Sequence, residues 1–388
     1  MDLRELYQEI KLGEDSRRQF KQNITNTEAM AAEMVAFSNG DGGKMFIGVN
    51  DDGTIAGLTE DDVRRVNQLV SNVCSQHVQP SINPTTENIL TNSGLVIIVN
   101  VPAGINKPYQ DKVGVFWVKS GADKRRATSR EEIQRLFQKA HLLHADEIPV
   151  NGLTISDFDL FYFEHYFQKR FGTLPDDENQ PLPRLLENMG LMKDGLLTVC
   201  GALLFGQKPW FKLPAFIVKA GAFDAFDLSA NNYIDSRDIA GKLDHIYKET
   251  VNFIISYLRH EQGNQDVNSI GIPEIPRETI SEIVSNALIH RDYFISAPVR
   301  VFVFRDRVEI ISPGHLPNNL TVEKILLGAS NARNPSLASH ANHIIPYRGY
   351  GSGILRALAA YQNIEFVDDR DANMFKVTIK RCLPNGKS

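Results

Sequence analysis

Cysteine is scarce: Cys74, Cys200 and Cys382 are spread across 388 residues. An odd number with no metal-like pairing excludes a disulfide framework and a cysteine-based zinc site. The three read as buried or free thiols in a reducing compartment. No apolar run approaches the roughly 18 residues that a membrane helix needs, and Met1-Asp-Leu-Arg-Glu5 lacks the apolar core of a signal peptide. The expectation is a cytoplasmic protein with no membrane partner. Positive charge is in short supply too: 42 Lys and Arg face 47 Asp and Glu, for a net charge of −5. Any nucleic-acid face must therefore be a local patch, not a property of the whole chain. Internal repeats and long low-complexity tracts are missing as well.

What remains is ordinary for a folded protein, with 42% apolar and 23% charged residues and enough length for two or three domains. The most informative stretch is Thr279-Ile-Ser-Glu-Ile-Val-Ser-Asn-Ala-Leu-Ile-His-Arg-Asp292. Thr279 with Glu282 has the spacing of a capping box, so a helix is expected to start there. Ile280, Ile283, Val284, Ala287 and Leu288 give it an apolar stripe. Glu282, Asn286 and His290 recur every four residues along the edge of that stripe, a row that faces either water or a ligand pocket. Downstream, Tyr347-Arg-Gly-Tyr-Gly-Ser-Gly-Ile354 places Gly349, Gly351 and Gly353 just ahead of Ile354, Leu355 and Leu358. Glycines there let backbone amides approach phosphate oxygens where a helix begins.

Together with Arg305-Asp-Arg-Val-Glu-Ile-Ile-Ser-Pro-Gly-His-Leu316 and Arg333-Asn-Pro-Ser-Leu-Ala338, this order resembles the GHKL ATP-binding fold. More closely, it resembles the divergent form appended to bacterial Schlafen-AlbA proteins. The resemblance covers about the last third of the chain. It implies ATP and Mg²⁺ as ligands, with Asn286 holding the metal against the triphosphate and Glu282 orienting or deprotonating the attacking water. His290 and Arg291 are candidates to neutralise phosphate, and Gly349, Gly351 and Gly353 to form the lid. Where the family places an adenine-reading acid, this chain has Ser312, in Ser312-Pro-Gly314.

The first 143 residues read as a small α+β domain. Helices are expected at 3–12, after a capping box of Thr25 and Glu28, at 61–77 and at 130–140. Strands are expected at 44–49, 95–101 and 113–118, with a short extended piece at 19–21 and a turn over Ser38–Gly43. Gly13-Glu-Asp-Ser-Arg-Arg-Gln-Phe-Lys21, Ala36 to Gly53, and Phe116-Trp-Val-Lys-Ser-Gly-Ala-Asp-Lys-Arg-Arg-Ala127 resemble the Schlafen-AlbA domain. That resemblance implies nucleic-acid binding and, in some members, metal-dependent RNase activity. Glu14 matches the first nuclease acid, Gln19 stands where the second belongs, and the third falls among Asn50, Asp51 and Asp52. Loss of an acid at 19 argues against an efficient nuclease, because clustered carboxylates are needed to hold divalent ions. From Lys119 to Lys139 seven basic residues face three acids. Lys119, Lys124, Arg125 and Arg126, with Arg17, Arg18 and Lys21, are the candidate phosphate contacts.

Residues 144–270 read as a mixed connecting domain. Phe158, Phe161, Tyr162, Phe163, Tyr166 and Phe167 are expected as helical core. A helix near 185–191 followed by the Lys193-Asp-Gly195 turn is of the kind a winged-helix module supplies. A strand is expected at 215–220, a helix at 246–258, and a linker over 261–268. The fold class is thus α+β multidomain: a Schlafen-AlbA α/β domain (1–143), the mixed region (144–270) and a GHKL-like α/β sandwich (271–388). The leading functional expectation is a nucleic-acid-binding, ATP-binding regulator of the transcriptional type, in which nucleotide gates DNA or RNA contact. The alternatives are an ATP-linked RNase of the Schlafen type, using Glu14, Asp51 and Asp52, and a homo-oligomeric scaffold with a degenerate nucleotide pocket.

Overall fold

The computed structural model describes residues 1–140, 142–228, 233–261, 271–317, 320–349 and 351–382. The chain is a mixed α/β protein of two compact units, Met1–Leu143 and His144–Ser388. Among the described residues no helix is long and apolar enough to cross a membrane. The cysteines are free; Cys74 and Cys200 are buried, and burial pushes the Cys74 thiol up to about 11.

In the first unit, α1 (Leu3–Lys11) opens on a capping box in which Asp2 and Glu5 serve each other's amides. β1 (Arg18–Lys21) runs parallel to β2 (Gly43–Ile47), and α2 (Thr27–Asn39) makes the crossover between them. The cap of α2 is Asn26, not Thr25: its Oδ1 accepts from the Glu28 and Ala29 amides at 2.9 and 3.0 Å. Ser38 and Asn39, read as turn, extend the helix, so the turn shrinks to residues 40–42. Gly42 adopts φ +78°, and a Cβ there would stand 2.7 Å from the Ala103 nitrogen. Only glycine lets the chain pass at that point.

α3 (Glu60–Gln76), β3 (Val78–Gln79), β4 (Thr85–Thr91) and β5 (Gly94–Val101) follow, and the main sheet has the order β1-β2-β5-β4. Its side chains alternate between two cores, as the pleat dictates. Met45, Ile97 and Val99 join Met34 and Val66, while Phe46, Val96 and Ile98 join Leu6 and Ile10. β4 escaped the sequence reading because it is a polar edge strand. β6 (Gln110–Asp111) pairs with β3, and β7 (Trp117–Ser120) with β8 (Asp123–Arg126), before α4 (Arg130–Lys139). The expected strand over 113–118 is broken by Asp111, whose carboxylate accepts from the Val113 and Val115 amides and from Trp117 Nε1.

The second unit begins with α5 (Leu160–Phe171), α6 (Leu182–Asn188), the hairpin β9 (Met192–Lys193) and β10 (Leu196–Leu197), and α7 (Val199–Phe205). Phe158, Phe163, Tyr166 and Phe167 are core as expected, whereas Phe161 is exposed. Next come β11 (Val218–Phe223), β12 (Tyr233–Ile239), α8 (Leu243–Ser256), and the small pair β13 (His260–Glu261) with β14 (Ile272–Pro273). α9 (Arg277–Ile289), β15 (Val299–Val303), β16 (Arg307–Pro313), α10 (Val322–Leu326), α11 (Pro335–Ala341), α12 (Gly353–Ala360), β17 (Ile364–Asp369) and β18 (Met374–Lys380) complete it. One six-stranded sheet runs β12-β11-β15-β16-β18-β17.

β11 pairs in parallel with β15, Val218 beside Val299, and one apolar core extends from Ala145 to Ile379. The boundary drawn at 270 therefore falls inside a single compact unit. From residue 262 onward, the expected linker over 261–268 lies outside the described residues. α9 packs on β16, α8 and α12, and that packing sets the geometry of the site.

Candidate nucleotide site and basic face

α9 does not begin at the Thr279 capping box. Its cap is Pro276, at φ −55° and with no side-chain bond, because proline brings a helical φ preset. Thr279 lies in the first turn and donates its hydroxyl to the Ala357 carbonyl at 3.2 Å, tying α9 to α12. Glu282 is thereby released from capping and turns to a cavity. Glu282, Asn286 and His290 line that cavity together with Ser312, Gly314, Gly349, Gly351 and Gly353. Residues far apart in sequence thus meet at one site.

Each side chain has a distinct environment. Glu282 is buried and accepts from Arg356 of α12, whose Nε lies 2.9 Å from Oε1. Among the described residues the Asn286 side chain makes no hydrogen bond, and it lines the cavity, so its amide oxygen is open to a ligand. Gly353 abuts both: a Cβ there would stand 2.6 Å from Glu282 Oε2 and 3.4 Å from Asn286 Nδ2. Ser312 donates to the Ala287 carbonyl at 3.0 Å. Its lone pairs remain, so the position keeps an acceptor after losing a carboxylate. Ile283, Ala287, Ile310, Phe366, Phe375 and Val377 supply an apolar lining, which suits the faces of a planar base.

His290 and Arg291, adjacent in sequence, are placed differently. Burial and the Arg333 charge push His290 down to about 4, so it is neutral at pH 7, and its Nε2 meets the Tyr347 hydroxyl at 3.0 Å. Arg291 points away from the cavity into the core. Its Nη2 donates to the carbonyls of Ile295 at 3.1 Å and Ala297 at 2.5 Å, and its guanidinium lies over the rings of Phe216 and Tyr293.

The Arg333-Asn334 pair is also architectural. Asn334 Nδ2 caps the end of α9 through the carbonyls of Ile289 and Arg291. Arg333 bridges Asp292 at 3.3 Å and the His315 carbonyl at 2.5 Å. It fills the space a side chain at Gly314 would need, 2.1 Å from that Cβ position. Sequence reasoning missed Arg356, although an arginine three residues past the last lid glycine, inside an apolar helix, was a visible signal.

A second buried histidine makes the unit sensitive to acid. His340 Nδ1 faces both Arg170 Nη1 at 2.7 Å and the Tyr166 hydroxyl at 2.6 Å, while Nε2 faces the Met189 carbonyl at 2.9 Å. An arginine N–H donates to Nδ1 only when that nitrogen is unprotonated. Burial pushes His340 down to about 4. Folded pKa values below the ordinary 6.5 mean that the unfolded chain takes up protons first as pH falls. Stability is full above pH 6.5 and drains between 6.5 and 4. Asp146, pushed up to about 6 by burial, opposes this below pH 6, but two histidines outweigh one carboxyl. The urea midpoint of the second unit is expected to fall steadily from pH 7 to 5, and His340 to keep a neutral ring signal at pH 5 by NMR.

In the first unit the basic residues divide. Lys119 is buried, donating to Glu33 Oε1 at 2.9 Å and Gln19 Oε1 at 3.1 Å. It is an internal cation and is not available to phosphate. Lys124 meets the other Glu33 oxygen at 2.8 Å, and Arg18 is held by Glu9 and Asp15. Arg125 pairs with Glu132 at the surface. Exposed Arg126 stacks over Trp117 at 5.2 Å, and Arg17 makes only a loose 3.6 Å pair with Asp41. Lys21 has no ion pair among the described residues.

The nuclease acids are scattered in their bonding. Glu14 accepts from Gln19 and from the Phe20 amide at 2.7 Å. Asp52 caps its own turn through Thr54, and Asp51 is exposed. Among the described residues no three of His, Cys, Asp or Glu gather as metal ligands.

Residues 14–128 match the family model described as "Schlafen, AlbA_2", and residues 296–379 the one described as "Putative ATP-dependent DNA helicase recG C-terminal". The chain carries an N-terminal Schlafen/AlbA_2 domain and a C-terminal domain of the recG C-terminal kind. α9, β11 and β12 precede the second matched segment, whereas β15, β16, β17, nearly all of β18 and the lid lie within it. Those two families suggest a nucleic-acid-related, ATP-binding protein. Among solved structures, the chain is similar to the DIP2311 protein from Corynebacterium diphtheriae, at 20% identity and a TM-score of 0.46, over 95% of this chain and 76% of that one. It is also similar to the N-terminal domain of a "Putative ATP-dependent DNA Helicase RecG-related Protein" from Nitrosomonas europaea, at 19% identity and a TM-score of 0.23, over 34% of this chain and 96% of that one. No curated protein matches the chain.

Proposed function

We propose that the chain is a nucleic-acid-binding regulator of the transcriptional type whose second unit binds ATP and thereby gates contact with DNA or RNA. The observation that carries the reading is the convergence of Glu282, Asn286 and the lid glycines on one cavity with an apolar lining. The unbonded Asn286 amide fits Mg²⁺: a neutral oxygen suits a hard cation that also takes phosphate oxygens. Bound there, the metal would supply charge neutralisation for the triphosphate.

The chain's own residues do the rest. Ile283, Phe366 and Phe375 would give the base an apolar surround, Ser312 would offer it an acceptor, and the lid backbone would hold the phosphates. Where turnover occurs, Glu282 takes a proton from water as the water oxygen bonds the terminal phosphorus. The bridging P–O bond breaks, and its electron pair leaves with ADP. A GHKL-type assignment is supported by the Glu282–Asn286 spacing and the lid. Titration of ATP with magnesium by calorimetry tests binding, and retention of labelled RNA and DNA with and without ATP tests gating. Coupled sites must shift each other's affinity by the same factor, so equal retention in both conditions removes the gate.

The nucleic-acid face is proposed on the β7–β8 hairpin and the two ends of β1, where Arg126, Arg125, Arg17 and Lys21 are accessible cations. Replacing Arg125 and Arg126 with alanine should flatten the salt dependence of binding by about one to two units of log–log slope. Replacing Lys119 should instead reduce stability, because Glu33 would lose a buried partner. An unchanged slope would move the face elsewhere. The metal-dependent nuclease reading has less support, since the Lys119 ammonium sits against Gln19 and Glu33 where clustered acids would need a divalent ion. Incubation with tRNA and Mn²⁺ is expected to give no Glu14-dependent cleavage.

A further inference from the structure

Arg356 reaches back from the first turns of α12 to the cavity wall formed by α9. Two of its N–H groups, on Nε and Nη2, converge on one oxygen, Glu282 Oε1, and Nη1 donates to Ser352 Oγ at 2.7 Å. A guanidinium fork is shaped for two oxygens of one anion, and here it is spent on a single carboxylate oxygen. Oε2 is left facing the bare Cα of Gly353. The pair is mostly covered, with side-chain exposures of 22% for Arg356 and 9% for Glu282, yet both residues line the cavity. A cation in a ligand cavity, held by the acid proposed as the base and by the Ser352 hydroxyl, is in the wrong partnership for hydrolysis. While Arg356 holds Oε1, Glu282 has one fewer site for a water proton.

We propose that Arg356 is the ligand of the nucleotide's terminal phosphate, and that Glu282 holds its place until a triphosphate takes it over. The assignment rests on the nucleotide reading above. A terminal phosphate offers three oxygens and up to two negative charges, against one oxygen and one charge from Glu282, so the exchange runs toward the phosphate. It frees Oε1 as the phosphate arrives, which ties readiness of the base to the presence of the group it attacks. Gly353 is what permits the exchange, because any side chain there would wedge α12 away from Glu282. ADP lacks the third phosphate that would reach Arg356, so the residue discriminates triphosphate from diphosphate.

Calorimetry with ATP and ADP, each with magnesium, tests this in the full chain, its Arg356→Met, Arg356→Lys and Glu282→Gln variants, and the Arg356→Met/Glu282→Gln double variant. Arg356→Met should lower ATP affinity about tenfold and leave ADP within about twofold, and Arg356→Lys should fall between. Glu282→Gln, by removing the charged competitor, should tighten ATP about tenfold, and the double variant should behave like Arg356→Met. Because ADP is measured on the same protein, a folding defect lowers both affinities and leaves their ratio readable. An ATP-to-ADP ratio that stays at the wild-type value in Arg356→Met overturns the assignment while the nucleotide reading stands. If neither nucleotide binds the unaltered chain or any variant, the nucleotide reading itself is overturned, and this assignment with it.

Discussion

Replacing Arg291 with alanine should cost the second unit about 3 to 5 kcal/mol, with no specific effect on nucleotide. The side chain is 2% exposed and serves the carbonyls of Ile295 and Ala297, with a longer 3.5 Å contact to Ala215. Its guanidinium packs against both Phe216 and Tyr293, with ring centroids 4.7 and 4.8 Å away, and the two rings meet each other edge to face. Alanine would leave orphaned carbonyls and a cavity, and each buried acceptor left unmade costs about 1 to 3 kcal/mol. Lysine is no rescue, because a point charge cannot span the carbonyls or offer a planar face to the rings. For a unit of this size the midpoint of thermal unfolding should drop by about 10 °C. Differential scanning calorimetry resolves it, since the first unit should melt at its unaltered temperature. A phosphate-contacting Arg291 would give the reverse pattern, with unaltered melting and weakened ATP binding.

The second large effect belongs to Asn286. Its amide is unbonded in the cavity, one helical turn beyond Glu282 on α9. Asn286→Ala removes the oxygen proposed for the metal and leaves the packing of α9 in place, because the amide supports nothing around it. Magnesium-dependent ATP affinity should fall about a hundredfold, and the parent and variant should converge once the metal is chelated. Thermal stability should change by less than about 1 kcal/mol, as expected for a side chain with no structural bonds. Equal affinities with magnesium present would take the metal role away from Asn286. Glu282→Gln offers the complementary outcome, with binding kept or tightened and turnover lost.

The elements that announced themselves in sequence share a physical cause. α3 and the heart of α9 carry a 3.6-residue apolar period, and β2 and β5 are short apolar runs bounded by glycine and polar residues, so local pattern and final burial agree. β4 was passed over, and the Thr25 cap misread, for the opposite reason. The first is an edge strand with a polar sequence, and the second had a better competitor one residue on, in Asn26.

The site was legible as a row and a lid, because helical spacing and glycine turns are local. What the sequence could not reveal is which side each neighbour faces. His290 and Arg291 are adjacent, yet one lines the cavity as a neutral ring and the other is a buried brace. Lys119 and Arg126 lie in one basic run, yet a two-stranded hairpin sends the first inward to Glu33 and leaves the second at the surface. Arg356 went unassigned because its partner, Glu282, comes from another helix.

The parallel pairing of β11 with β15 also has a kinetic side. Val218 cannot find Val299 until the α8–α9 segment between them has been made and closed back over the sheet. Such long-range parallel contacts carry the loop-closure entropy before they return any stabilisation, and they fold slowly. During synthesis the first unit has all its partners by residue 143, so it can fold while the second still waits for β18. A nascent chain paused after β11 and β12 would present an unpaired apolar strand edge, the stage at which this protein is most open to aggregation and most in need of a chaperone.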